Sequence, residues 1–420
     1  MPESRLSPSQ GNKFQVIKTK IGQAQAQGVD VIKLGIGQPA GAPFGSFRCA
    51  AAAAMLLTDQ EVHEYQDNGS AGVVLFDEHD GELIPHRNAG GALIKVDFAQ
   101  MYVNAHQSSS LDVSVLDNIA YLPTCGTKPT LLQVLCACED NPRALRVGVP
   151  NTPNYPTFWY WAEKLGCRLI PVDMDNLEID LQKIDILADI SPGNPTGGVR
   201  THDWYRKVFA LCVKNGVRFM NDAAYIALAE DGIPTAMEVA VEFPDLSWVE
   251  LYSASKQLGN TTGARVGALV GSSDFVGDIA KIKGETDSGF NAAIASGVLH
   301  ATLHDKKSVN DLRNSYLRNL RKLAQIIDQE FPILELYAKP QAGFFLLFDI
   351  SPDGVARLVQ GVVNKDTLGE LLNNFMILNH GIAGVPFGSQ LRYSVAQIEI
   401  DKEVEQRLRH GFREAMKDLT

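Results

Sequence analysis

No two cysteines in this sequence are spaced C-x-x-C. The six present, Cys49, Cys125, Cys136, Cys138, Cys167 and Cys212, lie mostly in apolar runs. That pattern speaks against a zinc site or a disulfide framework and for buried thiols in a reducing compartment. Positive charge is also scarce. Lys and Arg total 38 against 49 Asp and Glu, a net charge of −11. Nucleic acid is therefore not an expected partner, because phosphate backbones are bound by basic surfaces. A small anionic ligand stays open, since it needs only local positive charge. No apolar run approaches the ~18–20 residues of a membrane span. The opening stretch MPESRLSPSQGNK is polar and has no apolar signal core, so the expected location is cytoplasmic, away from membranes. No G-x-G-x-x-G follows the first apolar strand, which sets aside a nucleotide-binding doubly wound enzyme. Internal repeats and low-complexity linkers are also missing.

What is there is an ordinary globular composition, 45% hydrophobic and 21% charged, over 420 residues. That length exceeds one ordinary core and calls for two or more domains. The pattern predicts a helix over 14–27, a short strand over 31–37, an open turn at Gly37-Gln38-Pro39-Ala40-Gly41 and an alanine-rich helix over 48–57. A loop carrying Tyr65 follows over 63–72, then a solvated loop over 73–91 and a helix over 92–106. Asp77, His79, Asp80 and His86 in that loop have no spacing that puts them on one face, so no metal is expected. From 120 onward short apolar strands alternate with helical stretches. The strands fall at 120–123, 146–149, 168–172, 186–190, 217–221, 249–252 and 266–270. This predicts an α/β fold, a mostly parallel seven-stranded sheet sandwiched by helices. After 271 come helices at 291–303 and 308–330, strands at 334–337 and 343–350, a helix over 365–378, a turn over 381–388, a strand over 391–395 and a helix over 402–419. They read as a smaller α+β domain. The expected division is an N-terminal segment 1–60 packing with the small domain, a large domain 61–285 and a small domain 286–420.

Chemistry concentrates in the stretch SASKQLGNTTGARVG, 253–267. Lys256 stands just past an apolar strand between small hydroxyl residues, Ser253 and Ser255 before it and a glycine-rich turn after it. A desolvated lysine at a strand end can form a Schiff base with a carbonyl. Serine hydroxyls and Arg265 beside it are what a phosphate needs. Read alone, the stretch would equally suit a surface lysine. Four further loops at strand ends point the same way. Cys125-Gly126-Thr127-Lys128 opens a helix, where free N–H groups bind phosphate. Tyr155, held between Pro153 and Pro156, is rigid enough to stack on a flat ring. Ser191-Pro192-Gly193-Asn194-Pro195-Thr196-Gly197 fixes a loop centred on an amide. Asp222, in Asn221-Asp222-Ala223-Ala224-Tyr225, ends an apolar strand and needs a cationic partner, which a protonated pyridine nitrogen would supply.

These strings, in this order, resemble the fold-type-I pyridoxal 5'-phosphate (PLP) enzymes of the class I/II aminotransferase family, over nearly the whole chain. The resemblance implies that Lys256 holds PLP and that Asp222 pairs with its ring nitrogen. It implies that Asn194 and Tyr225 bond the phenolic oxygen and that Tyr155 stacks on the ring. Gly126, Thr127, Ser253, Ser255 and Arg265 would hold the phosphate, with Lys128 nearby. Leu391-Arg392-Tyr393-Ser394 resembles the late strand on which an arginine clamps the substrate α-carboxylate, so Arg392 takes that role beside Gly37 and Asn194. The Tyr65 position would reach the cofactor of a neighbouring subunit, which implies a homodimer with shared sites. LGIGQP, CGTK, NDAAY and Pro234-Thr235-Ala236-Met237-Glu238 look most like the LL-diaminopimelate aminotransferase branch. Three features depart from it: a Lys256-to-Arg265 turn one residue longer, a segment over 73–90 that looks inserted, and Phe14 in place of a frequent tyrosine.

The expected activity is ping-pong transfer of an amino group between an L-amino acid and a 2-oxo acid, with diaminopimelate- or dicarboxylate-type substrates in view. The same residues would also serve a PLP-dependent lyase, racemase or cyclase, because substrate orientation selects the bond that breaks. A regulatory protein that keeps the fold would carry an added basic domain or lack Lys256, and neither applies.

Overall fold

A computed structural model describes residues 13–66, 72–107, 118–174, 176–358 and 367–419. The opening polar stretch through residue 12, part of the loop after Tyr65, the start of the helix expected from 365 and the Phe14 side chain lie outside the described residues.

Seven strands form the large sheet: β1 (Ile119–Thr124), β2 (Arg146–Pro150), β3 (Arg168–Val172), β4 (Ile186–Asp189), β5 (Arg218–Asp222), β6 (Trp248–Ser253) and β7 (Gly267–Ser272). Their spatial order is β1-β7-β6-β5-β4-β2-β3. All neighbours are parallel except β7, which runs antiparallel to both β1 and β6. The central strands are apolar without alternation because both faces are covered. Ile186 and Ala188 of β4 enter one core, with Val249 and Phe275, while Leu187 between them enters the other, with Phe209 and Phe219. Helices Thr127–Cys138, Thr157–Leu165 and Ser273–Thr286 cover the first face, and His202–Asn215 the second.

A second, antiparallel sheet joins Leu334–Leu336, Phe345–Ile350, Gln390–Ser394 and Val385–Phe387, in that order. Helices Lys306–Glu330, Leu368–His380 and Lys402–Asp418 pack on it around Phe344, Phe348, Leu372 and Phe412. The N-terminal helix Lys13–Ala26 shares a small core with this part through Ile17, Ala24, Ile377 and Val385. Helix Ala292–His304 does not follow the smaller part, although it comes after residue 286. Ala292, Ala295, Val298 and Leu299 sit in the large sheet's core, and Gly297 packs against Ala51 of helix Gly45–Met55. Packing thus ties residues 45–55 and 292–304 to the large sheet, across both expected divisions.

Three local expectations are corrected. The stretch expected to be a solvated loop is an antiparallel hairpin, Phe76–His79 against Glu82–Pro85. Its two-residue turn has Asp80 at φ 50° and Gly81 at φ 84°, the geometry that suits the right-handed strand twist. The helix expected over 92–106 is confined to Phe98–Asn104, because Asp97 caps it by accepting from the Gln100 amide at 2.9 Å. Residues before it are extended, with Lys95 bridged to Val74. The turn expected over 381–388 contains two short strands. One of them, Ile382–Ala383, pairs in parallel with Ile32–Lys33.

Candidate active site

The loops after the parallel strands open onto the carboxyl edge of the large sheet, the place where open α/β sheets hold ligands. There a cavity of about 420 Å³ is lined by Gly37, Thr127, Lys128, Tyr155, Asn194, Asp222, Tyr225, Ser253, Ser255, Lys256, Arg265 and Arg392. These are candidate residues from seven separate stretches of sequence, brought to one place from the ends of the large sheet's strands, the Gly37 loop and the smaller sheet.

Lys256 follows the end of β6 and is largely buried. Its Nζ donates to the Gly37 carbonyl at 3.0 Å. Burial, helped by the nearby Arg265 and Arg392 cations, lowers its amine to about 8. Asp222, which lines the same cavity, ends β5 and is 5% exposed. Its carboxyl accepts the Ala224 amide at 3.2 Å, and burial raises it to about 7. A carboxyl buried with so little compensation wants a cation or a proton.

At one end of the cavity, Gly126 caps helix Thr127–Cys138 with φ 90°, a backbone conformation that a side chain rarely adopts. Ser253 Oγ donates to Ser255 Oγ at 2.9 Å. Arg265 donates to the Cys125 carbonyl at 3.1 Å and to the Thr262 carbonyl at 3.2 Å. The turn from Lys256 has two left-handed residues, Gly259 at φ 72° and Arg265 at φ 53°, the second a non-glycine strained at a functional edge. Hydroxyls, a guanidinium and a helix start are thus gathered as an anion cradle.

A Cβ added at Gly126 would stand 3.0 Å from Arg265 Nη2. Gly126→Ala is therefore expected to push the guanidinium aside and strain the cap, weakening PLP binding by about 10- to 100-fold. Titration of apoprotein with PLP checks this, and an unchanged Kd would refute the cradle.

At the other end lies Arg392, 3% exposed, on the strand Gln390–Ser394 of the smaller sheet. It donates to Asn194 Oδ1 at 3.1 Å and to the Gly35 carbonyl at 3.0 Å, while its Nε is buried with no hydrogen-bond partner. Its guanidinium lies 4.2 Å from the Phe345 ring centroid. Desolvation lowers it to about 10. No carboxylate accompanies it among these contacts, so this buried cation is set to take one from a ligand. The LGIGQP stretch is held here because Ser394 Oγ donates to the Ile36 carbonyl at 2.6 Å. Asn194 is buried between the two sheets, and Tyr225, also buried, is pushed upward in pKa chiefly by desolvation.

Two candidates are not among the lining residues: Gly126, which stands next to lining Thr127, and Tyr65, which is far more exposed. Tyr65 is 81% exposed and lines a surface cleft with Phe290 and Asn291. Sequence reasoning missed Phe345, Gln38 and Thr262 as lining residues. Phe345 had a signal only in hindsight, since a ring matters here because it lies under a cation that arrives from another strand.

A lysine amine and a carboxyl in one cavity, with an anion cradle at one end, on a sheet of this order, define a PLP-dependent enzyme of fold type I. The chain belongs to the family described as aminotransferase class I and II, whose model matches residues 120–406. An LL-diaminopimelate aminotransferase of Natranaerobius thermophilus is 26% identical over 72% of this chain and 73% of its own length. One from Methanocaldococcus jannaschii is 29% identical, over 54% of each chain. A probable N-succinyldiaminopimelate aminotransferase of Thermus thermophilus has the same fold, with a TM-score of 0.73 at 21% identity over 96% of this chain and 100% of its own. The family is PLP-dependent, and PLP is the cofactor of this chain. The residues present fit it: the under-compensated Asp222 carboxyl suits a ring N–H, and the cradle suits its phosphate. Membership of an aminotransferase family favours amino-group transfer over a lyase, racemase or cyclase outcome. No helix of the described residues is long and apolar enough to cross a membrane.

Proposed function

We propose that this cavity is where the amino group of an L-amino acid is passed to a 2-oxo acid, in two half-reactions sharing one set of residues. The observation that carries the reading is that Lys256 and Asp222 line one cavity with Ser253, Ser255, Arg265 and Arg392, and burial acts on the two in opposite senses, lowering the amine to about 8 and raising the carboxyl to about 7. When bound, PLP supplies an electron sink for the pair left at the substrate Cα. Lys256 holds the cofactor and, once the incoming amine releases it, moves a proton away from Cα. An amine near 8 offers far more free base at neutral pH than an exposed lysine. Asp222 keeps the ring nitrogen protonated. Asn194 and Tyr225 bond the phenolic oxygen, and Tyr155 lies against the ring. Gly126, Thr127, Ser253, Ser255 and Arg265 hold the phosphate, with Lys128 beside them. Arg392 takes the substrate α-carboxylate, with Gly37 and Asn194 framing it. The second half-reaction runs the same proton movement backwards on a 2-oxo acid.

The reading extends to a homodimer with shared sites. A tyrosine left largely in water at Tyr65 suits contact with the cofactor phosphate of a neighbouring copy. It also extends to the cytoplasm, since six free cysteines suit a reducing compartment. For the substrate, we favour diaminopimelate or a dicarboxylic amino acid. Two relatives are named for diaminopimelate, and that resemblance supports the choice.

Single turnovers of the PLP form with the twenty amino acids plus diaminopimelate test this. Conversion of 2-oxoglutarate to glutamate, matched mole for mole by a new oxo acid, is expected. Elimination or racemisation without glutamate would move the reading to a lyase or racemase. Arg392→Gln is expected to lower kcat/KM by about 10²–10³-fold, mostly through KM, because the substrate carboxylate loses a desolvated cation. Steady-state kinetics check this, and an unchanged KM would remove Arg392 from the substrate site.

A further inference from the structure

Behind the cavity, on the opposite face of the sheet, lies a buried polar cluster that the chemistry above does not use. Its centre is Glu250 on β6, wholly buried. Four donors converge on its two oxygens. Oε1 accepts from Asn221 Nδ2 at 2.7 Å and from the Ala236 amide at 2.9 Å. Oε2 accepts from the Met237 amide at 2.9 Å and from the Tyr252 hydroxyl at 2.8 Å. Desolvation pushes this carboxyl upward in pKa, and the donors act against that. Only an ionised carboxylate accepts from all four, because it has no hydrogen of its own to misplace.

Asn221 is also wholly buried and stands immediately before Asp222 on β5. Neighbouring strand residues point to opposite faces, so Asn221 faces this cluster while Asp222 faces the cavity. The Asn221 amide clamps one peptide unit on each side. Its Oδ1 accepts from the Ser191 N–H at 2.9 Å, and its Nδ2 donates to the Ser191 carbonyl at 3.0 Å. Backbone pairing of β4 with β5 ends at Asp189 opposite Asn221. Pro192, lacking an N–H, cannot extend it. The side chain of Asn221 therefore continues the ladder past its end, onto the loop that carries Asn194 three residues later. Ser191 is held a third way, because its Oγ accepts the Arg200 amide at 3.0 Å. Arg200 is itself fixed on buried Asp189, at 2.7 and 2.9 Å.

We infer that Glu250 is a positioning residue: by orienting the Asn221 amide it fixes the Ser191 peptide and so sets where Asn194 and Asp222 stand in the cavity. This rests on the transaminase reading. The rival is a local role, in which Glu250 does no more than satisfy the amides of the short helix Ala236–Ala240.

The test compares full-length wild type with Glu250→Gln, Asn221→Ala and Tyr252→Phe. A glutamine would aim an NH₂ at some of the four donors and loosen the Asn221 amide. Tyr252→Phe removes one donor and leaves the Ser191 clamp in place. Amide exchange of the peptide containing Ser191, measured in apoprotein, is expected to quicken by about tenfold in Glu250→Gln and Asn221→Ala but not in Tyr252→Phe. In the same two variants the pH at which the visible absorption of bound PLP titrates should shift, and kcat should fall about tenfold with KM little changed. If Glu250→Gln lowers Tm yet keeps wild-type exchange at Ser191 and the wild-type absorption titration, the local role stands and the inference is overturned. If Glu250→Gln fails to fold, Asn221→Ala and the Ser191 exchange decide in its place. A wild type that transaminates no amino acid would overturn the functional reading, while Ser191 exchange would still judge the link from Glu250.

Discussion

Lys256→Ala is expected to lower kcat/KM for transamination by at least about 10⁴-fold, the upper range of general acid–base catalysis before covalent attachment is counted. The same variant should lose the covalent link to PLP, so that gel filtration in competing amine strips the cofactor. It should nevertheless fold, and in the apoprotein fold more stably near neutral pH. The sign follows from linkage. Burial lowers the native Lys256 amine to about 8, against an ordinary value of 10.5. Below pH 8 both folded and unfolded chains carry the proton, and the native state bears the whole cost of burying a charge. Between pH 8 and 10.5 the unfolded chain binds more protons, so stability rises with pH and the cost fades. Its size is about 3 kcal/mol at pH 7, from a shift of roughly two and a half pH units. Removing the amine should thus raise Tm at pH 7 and leave it little changed above pH 10.5. Retention of even a hundredth of the wild-type activity, with cofactor still covalently held, would exclude Lys256 as the cofactor lysine.

Much of this site was legible because its residues sit at strand ends, where local sequence carries the signal. An apolar run that stops at Ser253 or Asp222 announces a strand and its mouth together. The parallel sheet was legible for the same reason, since β4 and β6 place apolar residues at successive positions, as strands buried on both sides do. What was not legible depends on contacts between distant segments. The turn at Asp80-Gly81 marks a hairpin, but a run of charged and histidine residues beside it masked the strands. The helix expected from Ala92 was overridden by pairing of Lys95 with Val74, more than twenty residues away. Ala292–His304 reads as an apolar helix in any setting, and only the burial of Ala295, Val298 and Leu299 in the large sheet's core assigns it there. Glu250 reads in sequence as a polar residue within a strand, and its four donors come from three separate segments. Long-range partners of buried polar groups leave almost no trace in local pattern, which is why the second layer of the site was invisible.

Asp222→Asn is expected to cut kcat by about 10³-fold, because a neutral amide of the same shape cannot hold the proton on which the electron sink depends. The stability of the apoprotein offers a test independent of turnover. Burial raises the native carboxyl to about 7, against an ordinary 3.8. Between those values the folded state binds more protons than the unfolded one, so stability falls as pH rises. Above pH 7 the charge is buried with no cation beside it, at a cost of about 4 kcal/mol. Most of that loss, about 3 kcal/mol, falls between pH 5 and pH 8 and should disappear in Asp222→Asn. Bound PLP brings a ring N–H to the same carboxyl, so the extra stability that PLP confers on wild type should grow over this pH window and stay flat in the variant. Paired melting curves of apo and PLP-loaded protein at pH 5 and pH 8 measure both differences. Parallel curves for wild type and variant would mean that Asp222 does not face the ring nitrogen, whatever the variant does to turnover.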